Sequence, residues 1–179
     1  MSFFFDVYGP FDVDRIDGVV TGSQKGFWKQ VRDWDADLVT AHGCYMFCLS
    51  HGRSIMPWYV GKAEGKEGFG QEVFAKHKLE VFNECLDYKR GKPKMFLFPM
   101  MTADGGEASR FSRDKTNGKR VIPWLEKTLM GMALQRNPDL WNIRDTTLPR
   151  SVTVRGLIGE AQKGRPYTEV SEARRALFG

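Results

Sequence analysis

The sequence predicts an α+β fold built on a small antiparallel sheet, and three observations carry that expectation. Two aromatic, apolar runs, 43–50 (GCYMFCLS) and 56–61 (MPWYVG), are separated only by the polar stretch HGRSI, the pattern of an antiparallel hairpin. A third run, 94–101 (KMFLFPMM), offers another strand. Segments with helical spacing lie before, between and after these runs, so strands that pair first then alternate with helices. A length of 179 residues corresponds to a single domain. A chain of that size buries roughly 70% of its unfolded surface, enough to fold without a disulfide or metal staple.

In chain order, residues 9–23 (GPFDVDRIDGVVTGS) read as loops around short extended pieces. Phe27, Val31, Trp34 and Leu38 share a 4-3-4 spacing that predicts a short amphipathic helix within 24–39. The hairpin follows, and then a charged, glycine-rich loop over 62–70 (KAEGKEGFG). Residues 71–89 set Val73, Phe74, His77, Val81, Leu86 and Tyr88 among good helix formers. Pro99 assigns the third strand to an edge or an end, because proline cannot donate to a ladder. A polar loop spans 102–118, and 120–135 (RVIPWLEKTLMGMALQ) is the strongest helix, with Pro123 assigned to its first turn. Asn137-Pro138 ends it. Beyond Ile143 lie a strand candidate (SVTVRGLI), an amphipathic piece at 168–178, and the cations Arg150, Arg155, Lys163, Arg165, Arg174 and Arg175.

Composition excludes several classes. A hydrophobic fraction of 41% and a charged fraction of 27% fit a folded globule, not a disordered chain. No apolar run approaches the ~20 residues of a membrane span, and Phe3-Phe4-Phe5 is cut short by Asp6 before it could serve as a signal peptide. Three cysteines, Cys44, Cys48 and Cys85, are an odd number with no CxxC pair. They point to a reducing, cytoplasmic setting and away from a zinc knuckle. Lys and Arg number 27 against 22 Asp and Glu, a net +5 that leans mildly toward an anionic partner.

A few residues carry candidate chemistry. Glu126 stands on the apolar helix among Ile122, Leu125, Leu129, Met130 and Ala133, with Ile122 and Met130 one turn either side. A carboxylate near a buried face has to be paired, as with Arg120 or Lys127, or protonated, or bound to a metal. Tyr45 and Tyr59 lie on adjacent strands, where the default role of such residues is cross-strand packing. For either phenol to act as a base near pH 7, its pKa near 10 would have to fall, at roughly 4 kcal/mol of differential stabilisation. Lys62 or a divalent cation could supply part of that. Gly61 allows a close backbone approach to a ligand, and His77-Lys78 follows on the next helix. Asn142 defaults to a turn or cap role. Neither GxxxxGK[ST] nor HExxH occurs.

Taken together these motifs resemble the GIY-YIG nuclease superfamily, over roughly residues 40–145. Gly43-Cys44-Tyr45 stands for the first signature element and Tyr59-Val60-Gly61, continuing into Lys62-Ala63, for the second. The YVGKA form is similar to the amino-terminal nuclease domain of the bacterial excision-repair enzyme, and WLEKTLMGMALQRNPDLWN resembles the closing motif. The resemblance implies a small three-stranded antiparallel sheet flanked by helices. Segments 1–39 and 146–179 become N-terminal and basic C-terminal extensions. It also implies a metal-dependent endonuclease acting on DNA more than RNA, with one Mg²⁺ or Mn²⁺ held by Glu126.

The implied catalytic residues are Tyr45, Tyr59, Lys62, His77 and Glu126. Gly61, Lys76, Lys78, Arg110, Arg113 and Asn142 would meet the nucleic acid or brace the site. One departure stands out: Val73 occupies the place, one helical turn before the histidine, where the family carries a phosphate-clamping arginine. Lys76, Lys78, Arg110, Arg113 or a tail arginine would then have to supply that charge. The alternative is a catalytically weak or inactive nucleic-acid-binding module on the same fold.

Overall fold

The computed structural model describes residues 3–102, 110–112, 115–142 and 168–178. Its centre is the predicted hairpin, β5 (Gly43–His51) and β6 (Ser54–Ala63), earlier strands being short N-terminal additions. The hairpin is tighter than the polar stretch suggests. His51 pairs with Ser54, leaving Gly52-Arg53 as a two-residue turn. Gly52 has φ +57°, the positive angle that the first position of a II′ hairpin turn requires. Strand β7 (Lys92–Thr102) pairs antiparallel with β5, so the three-stranded core expected from the sequence is present as β7-β5-β6.

That core is extended. The short strands β1 (Phe4–Phe5) and β2 (Tyr8–Asp12) pair with β7 on its outer side, and β8 (Arg110–Phe111) pairs with its end on the β5 side, making a six-stranded sheet. A two-stranded ribbon, β3 (Arg15–Ile16) with β4 (Val19–Val20), lies outside it. Strand β7 is therefore interior, and the edge position that Pro99 suggested is corrected. Met100 N–H points toward β5, donating to the His42 carbonyl, so the imide nitrogen of Pro99 faces the other side. There β2 pairs only as far as Leu97 and β1 starts at Met100. The missing donor falls in the gap between the two short strands.

Helices cover both faces. Helix α1 (Lys25–Trp34) runs into a 3-10 turn over Ala36–Thr40, so the predicted helix through residue 39 breaks at Asp35, which caps the turn by accepting from Asp37 N–H. The predicted helix over 71–89 divides into α2 (Phe69–Glu72) and α3 (Lys76–Tyr88). Helix α4 (Lys115–Arg136) begins earlier than expected, so Pro123 lies inside it and not in its first turn. Pro123 has no N–H to give the Lys119 carbonyl one turn back.

Strand alternation sorts the core into two. Tyr45, Phe47 and Leu49 of β5, with Met95 and Leu97 of β7, join Phe27 and Val31 of α1 and Phe82 and Cys85 of α3. Cys44, Phe98 and Met100 face the other way, onto Ile122, Leu125 and Leu129 of α4. Val60 meets Met130, Ala133 and Leu140 on that side too. The N-terminal segment is part of this core: Phe27, Val31 and Leu38 are fully buried.

The chain divides after Asn142 into two units, Met1–Asn142 and Ile143–Gly179. In the second, helix α5 (Thr168–Phe178) carries Arg174 and Arg175 exposed, and Arg175 pairs with Glu172 at 2.6 Å. The SVTVRGLI strand candidate lies outside the described residues. Among the described residues no helix is long and apolar enough to cross a membrane.

Candidate active site

Tyr45 and Tyr59 do meet. Their rings are tilted at 34° with centroids 6.3 Å apart, on the face shared with α3. Tyr45 is fully buried, directly opposite Gly61 on the neighbouring strand. A Cβ on Gly61 would overlap Cζ and the hydroxyl of Tyr45. The glycine is thus explained by the tyrosine ring lying over it, not by a ligand approaching the backbone as the sequence suggested.

The Tyr45 hydroxyl has no hydrogen-bond partner among the described residues. Burial pushes its pKa well above 10, and the charges of Tyr59, Glu72 and Glu126 push the same way. In the protein alone Tyr45 therefore stays protonated at neutral pH. Buried hydroxyls are nearly always partnered, because an unmade bond costs about 1–3 kcal/mol.

Tyr59 has a cation, but not the expected one. Lys78, near the start of α3, donates to its hydroxyl and lies 4.8 Å from its ring centroid. Lys62 instead pairs with Glu64 at 2.7 Å. Its ammonium pKa is raised, since Glu64 and then Glu126 outweigh the opposing effect of partial burial. Strand alternation sends Lys62, with Cys44 and Val60, to the α4 face, away from the tyrosine rings.

Glu126 is half-buried on α4, and its charge is felt at Lys62, Cys44 and Tyr45. It is thereby the link between the faces. Among the described residues no three His, Cys, Asp or Glu side chains group as a metal cage. A single carboxylate nonetheless suits Mg²⁺ or Mn²⁺ chemistry, because Mg²⁺ keeps several waters and takes one or two carboxylates plus phosphate oxygens. The unpartnered Tyr45 hydroxyl, within the field of Glu126, fits a site completed by water or substrate.

Val73 is fully buried in the aromatic core at the end of α2, so no cation can stand there. Lys78 is the positive group that contacts Tyr59 among the described residues. His77 and Lys76 are exposed at the start of α3. Arg110 is placed by its backbone in β8, and Arg113 lies outside the described residues.

Asn142 is buried and its amide bonds both backbone groups of one residue, Val60. It accepts from Val60 N–H at 2.8 Å and donates to the Val60 carbonyl at 2.6 Å. Asn137 donates to the Pro57 carbonyl at 2.7 Å, and Trp141 N–H to the Trp58 carbonyl at 2.8 Å. The NPDLWN segment thus runs along β6 and closes the sheet edge that would otherwise be open. This holds the YVG strand in register, a bracing role, and leaves the Asn142 amide turned toward the strand and not toward a ligand.

Sequence reasoning passed over two contributors. Glu72 on α2 adds to the field at Tyr45. His42, immediately before β5, is buried beside a cleft. Neither sits in a motif; the chain after β6 folds back on the turn before β5, where Phe69 N–H donates to the Ala41 carbonyl at 3.1 Å. Comparisons with protein-family models, curated proteins and solved structures find no match for this chain.

Proposed function

We propose that this chain is a metal-dependent endonuclease that hydrolyses phosphodiester bonds, in DNA more than in RNA. The observation that carries this reading is the pairing of Tyr45 and Tyr59 on adjacent strands, with Lys78 on one hydroxyl. One of the two hydroxyls is buried without a partner and the other is held by Lys78. Glu126 would hold a divalent ion, which when bound stabilises charge on the phosphate and the leaving oxygen. Lys78 takes over part of the electrostatic work of the arginine replaced by Val73, as a point charge and not a bidentate fork. Through its hydrogen bond it also fixes Tyr59. Lys62, within the field of Glu126, is already paired with Glu64.

Plasmid nicking with Mg²⁺ or Mn²⁺ tests the reading. Glu126→Ala should lower the rate by at least ~10²-fold, the scale on which single electrostatic groups act in catalysis. Equal cleavage by both proteins rules it out.

A second reading has its own support. Full burial of Tyr45 and the raised pKa of its phenol favour a module that holds nucleic acid without cutting it. That module would bind in a salt-dependent way that survives Glu126→Ala, because neutralising backbone charge needs no metal.

A further inference from the structure

On the α4 side a cleft of about 220 Å³ is lined by His42, Glu64, Lys66, Gly118, Lys119 and Ile122. Its charge is biased. Glu64, the acidic residue in the wall, is neutralised by Lys62 at 2.7 Å. Lys66 and Lys119 are exposed, and among the described residues neither takes part in an ion pair. The buried His42 adds an imidazole, which can donate from a ring nitrogen. A space this large far exceeds one water, whose share of liquid volume is about 30 Å³, and admits a phosphate with part of its sugar. The cleft also adjoins the candidate site. Ile122 stands one turn before Glu126 on α4, and its carbonyl accepts from Cys44 Sγ at 3.4 Å, next to Tyr45.

We propose that this cleft binds a backbone phosphate flanking the one that is cut, with Lys66 and Lys119 supplying charge and His42 a hydrogen-bond donor. The proposal rests on the endonuclease reading and extends it. It gives the chain a second phosphate-binding position, on the α4 face beside the turn of helix that leads to Glu126.

The test is fluorescence anisotropy with a fluorescein-labelled duplex oligonucleotide, in EDTA so that no cleavage intervenes, across a salt series. Lys66→Ala/Lys119→Ala should bind about tenfold more weakly, with a log–log salt slope shallower by about 0.9 for each phosphate that is no longer neutralised. Lys25→Ala/Arg32→Ala removes two exposed cations from α1 and should bind as wild type. Unchanged affinity and slope in the cleft variant overturns the proposal, as does an equal loss in the α1 variant or no binding by the wild type. Nicking assays separate the two readings. If the wild type never cuts but only the cleft variant loses affinity, the phosphate site stands and the endonuclease reading falls. If the wild type cuts and the cleft variant binds and cuts equally well, the cleft proposal falls alone.

Discussion

The two faces of the sheet are made from the same three strands, yet they divide the work. The face under α1 and α3 is a sealed aromatic core: Phe47 stacks on Phe82 at 4.3 Å, Phe27 meets Phe74 edge-on at 5.0 Å, and Tyr45 is fully buried among them. The face under α4 holds smaller apolar groups, the carboxylate of Glu126, the Lys62–Glu64 pair and the charged cleft. Burial lifts a phenol pKa on the first face and the Cys44 thiol on the second, whose margin also carries charged side chains. The difference teaches that the signature tyrosines are placed for rigidity and the charged groups for access. Tyr45 and Glu126 communicate only through the field near the start of β5 and the end of β6.

Alkaline pH should expose that division most strongly. Burial raises the thiols of Cys48 and Cys85 from the ordinary 9.0 to about 12, and that of Cys44 further still. Each folded-state pKa is raised, so stability is complete below pH 9 and is lost as pH climbs toward the folded values. In that window the unfolded state has released protons that the folded state retains. The loss is on the order of 1 kcal/mol per thiol per pH unit, enough in sum to consume a typical domain's stability. Two of the three thiols, Cys44 and Cys48, point toward α4 by strand alternation. Urea unfolding from pH 8 to 11 should therefore show Cys44→Ala/Cys48→Ala flattening the pH slope about twice as much as Cys85→Ala. Equal slopes would mean that only one of the two β5 thiols keeps its proton in this window.

Truncating the stacked pair probes the sealed side. Phe82→Ala should cost about 3–5 kcal/mol, the usual range for a large aromatic in a tight core. Chemical denaturation reads it directly. A cost under ~1 kcal/mol would mean that this face is not the packed one.

Next in size is the closing segment. Asn142→Ala leaves both Val60 N–H and its carbonyl without their side-chain partners, and about 2–3 kcal/mol should be lost. Hydrogen exchange should quicken at Val60 before it quickens in β5, because β6 alone depends on the segment for its outer edge. Uniform acceleration across both strands would contradict that edge role.

How much of this could be read beforehand follows from the range of each interaction. The β5–β6 hairpin and the helix carrying Glu126 were legible because side-chain periodicity is local. The break between α2 and α3 was not. Val73, Phe74 and Val81 continue an apolar pattern, yet the chain leaves helical geometry at Ala75, whose ψ is 148°. The interior position of β7 was hidden as well, since Pro99 argues for an edge unless one knows that β1 and β2 leave a gap opposite it. At the site, Tyr45, Tyr59 and Glu126 were named from their motifs, whereas the Lys78–Tyr59 bond was not. Lys62 stands so near Tyr59 in sequence that it looked like the partner, but it lies within β6 and alternation turns it to the other face. His42 belonged to no motif, and only the cleft singles it out.

The smallest effect is also the one that divides structure from chemistry most cleanly. Tyr45→Phe removes a buried hydroxyl that has no partner and leaves the ring over Gly61 unchanged. In the protein alone it should raise stability by about 1 kcal/mol, the lower end of what an unmade buried hydrogen bond costs. If that hydroxyl serves a substrate or its water, nicking activity should fall at the same time, giving a protein that is more stable and less active. A more stable variant with full activity would assign Tyr45 to packing alone and move the chemistry entirely to the α4 face. A less stable variant would mean that the hydroxyl is satisfied within the fold. Thermal melts and nicking rates on one preparation separate these outcomes, and a change of ~1 kcal/mol shifts the melting point of a domain this size by about 2–4 °C, well within measurement.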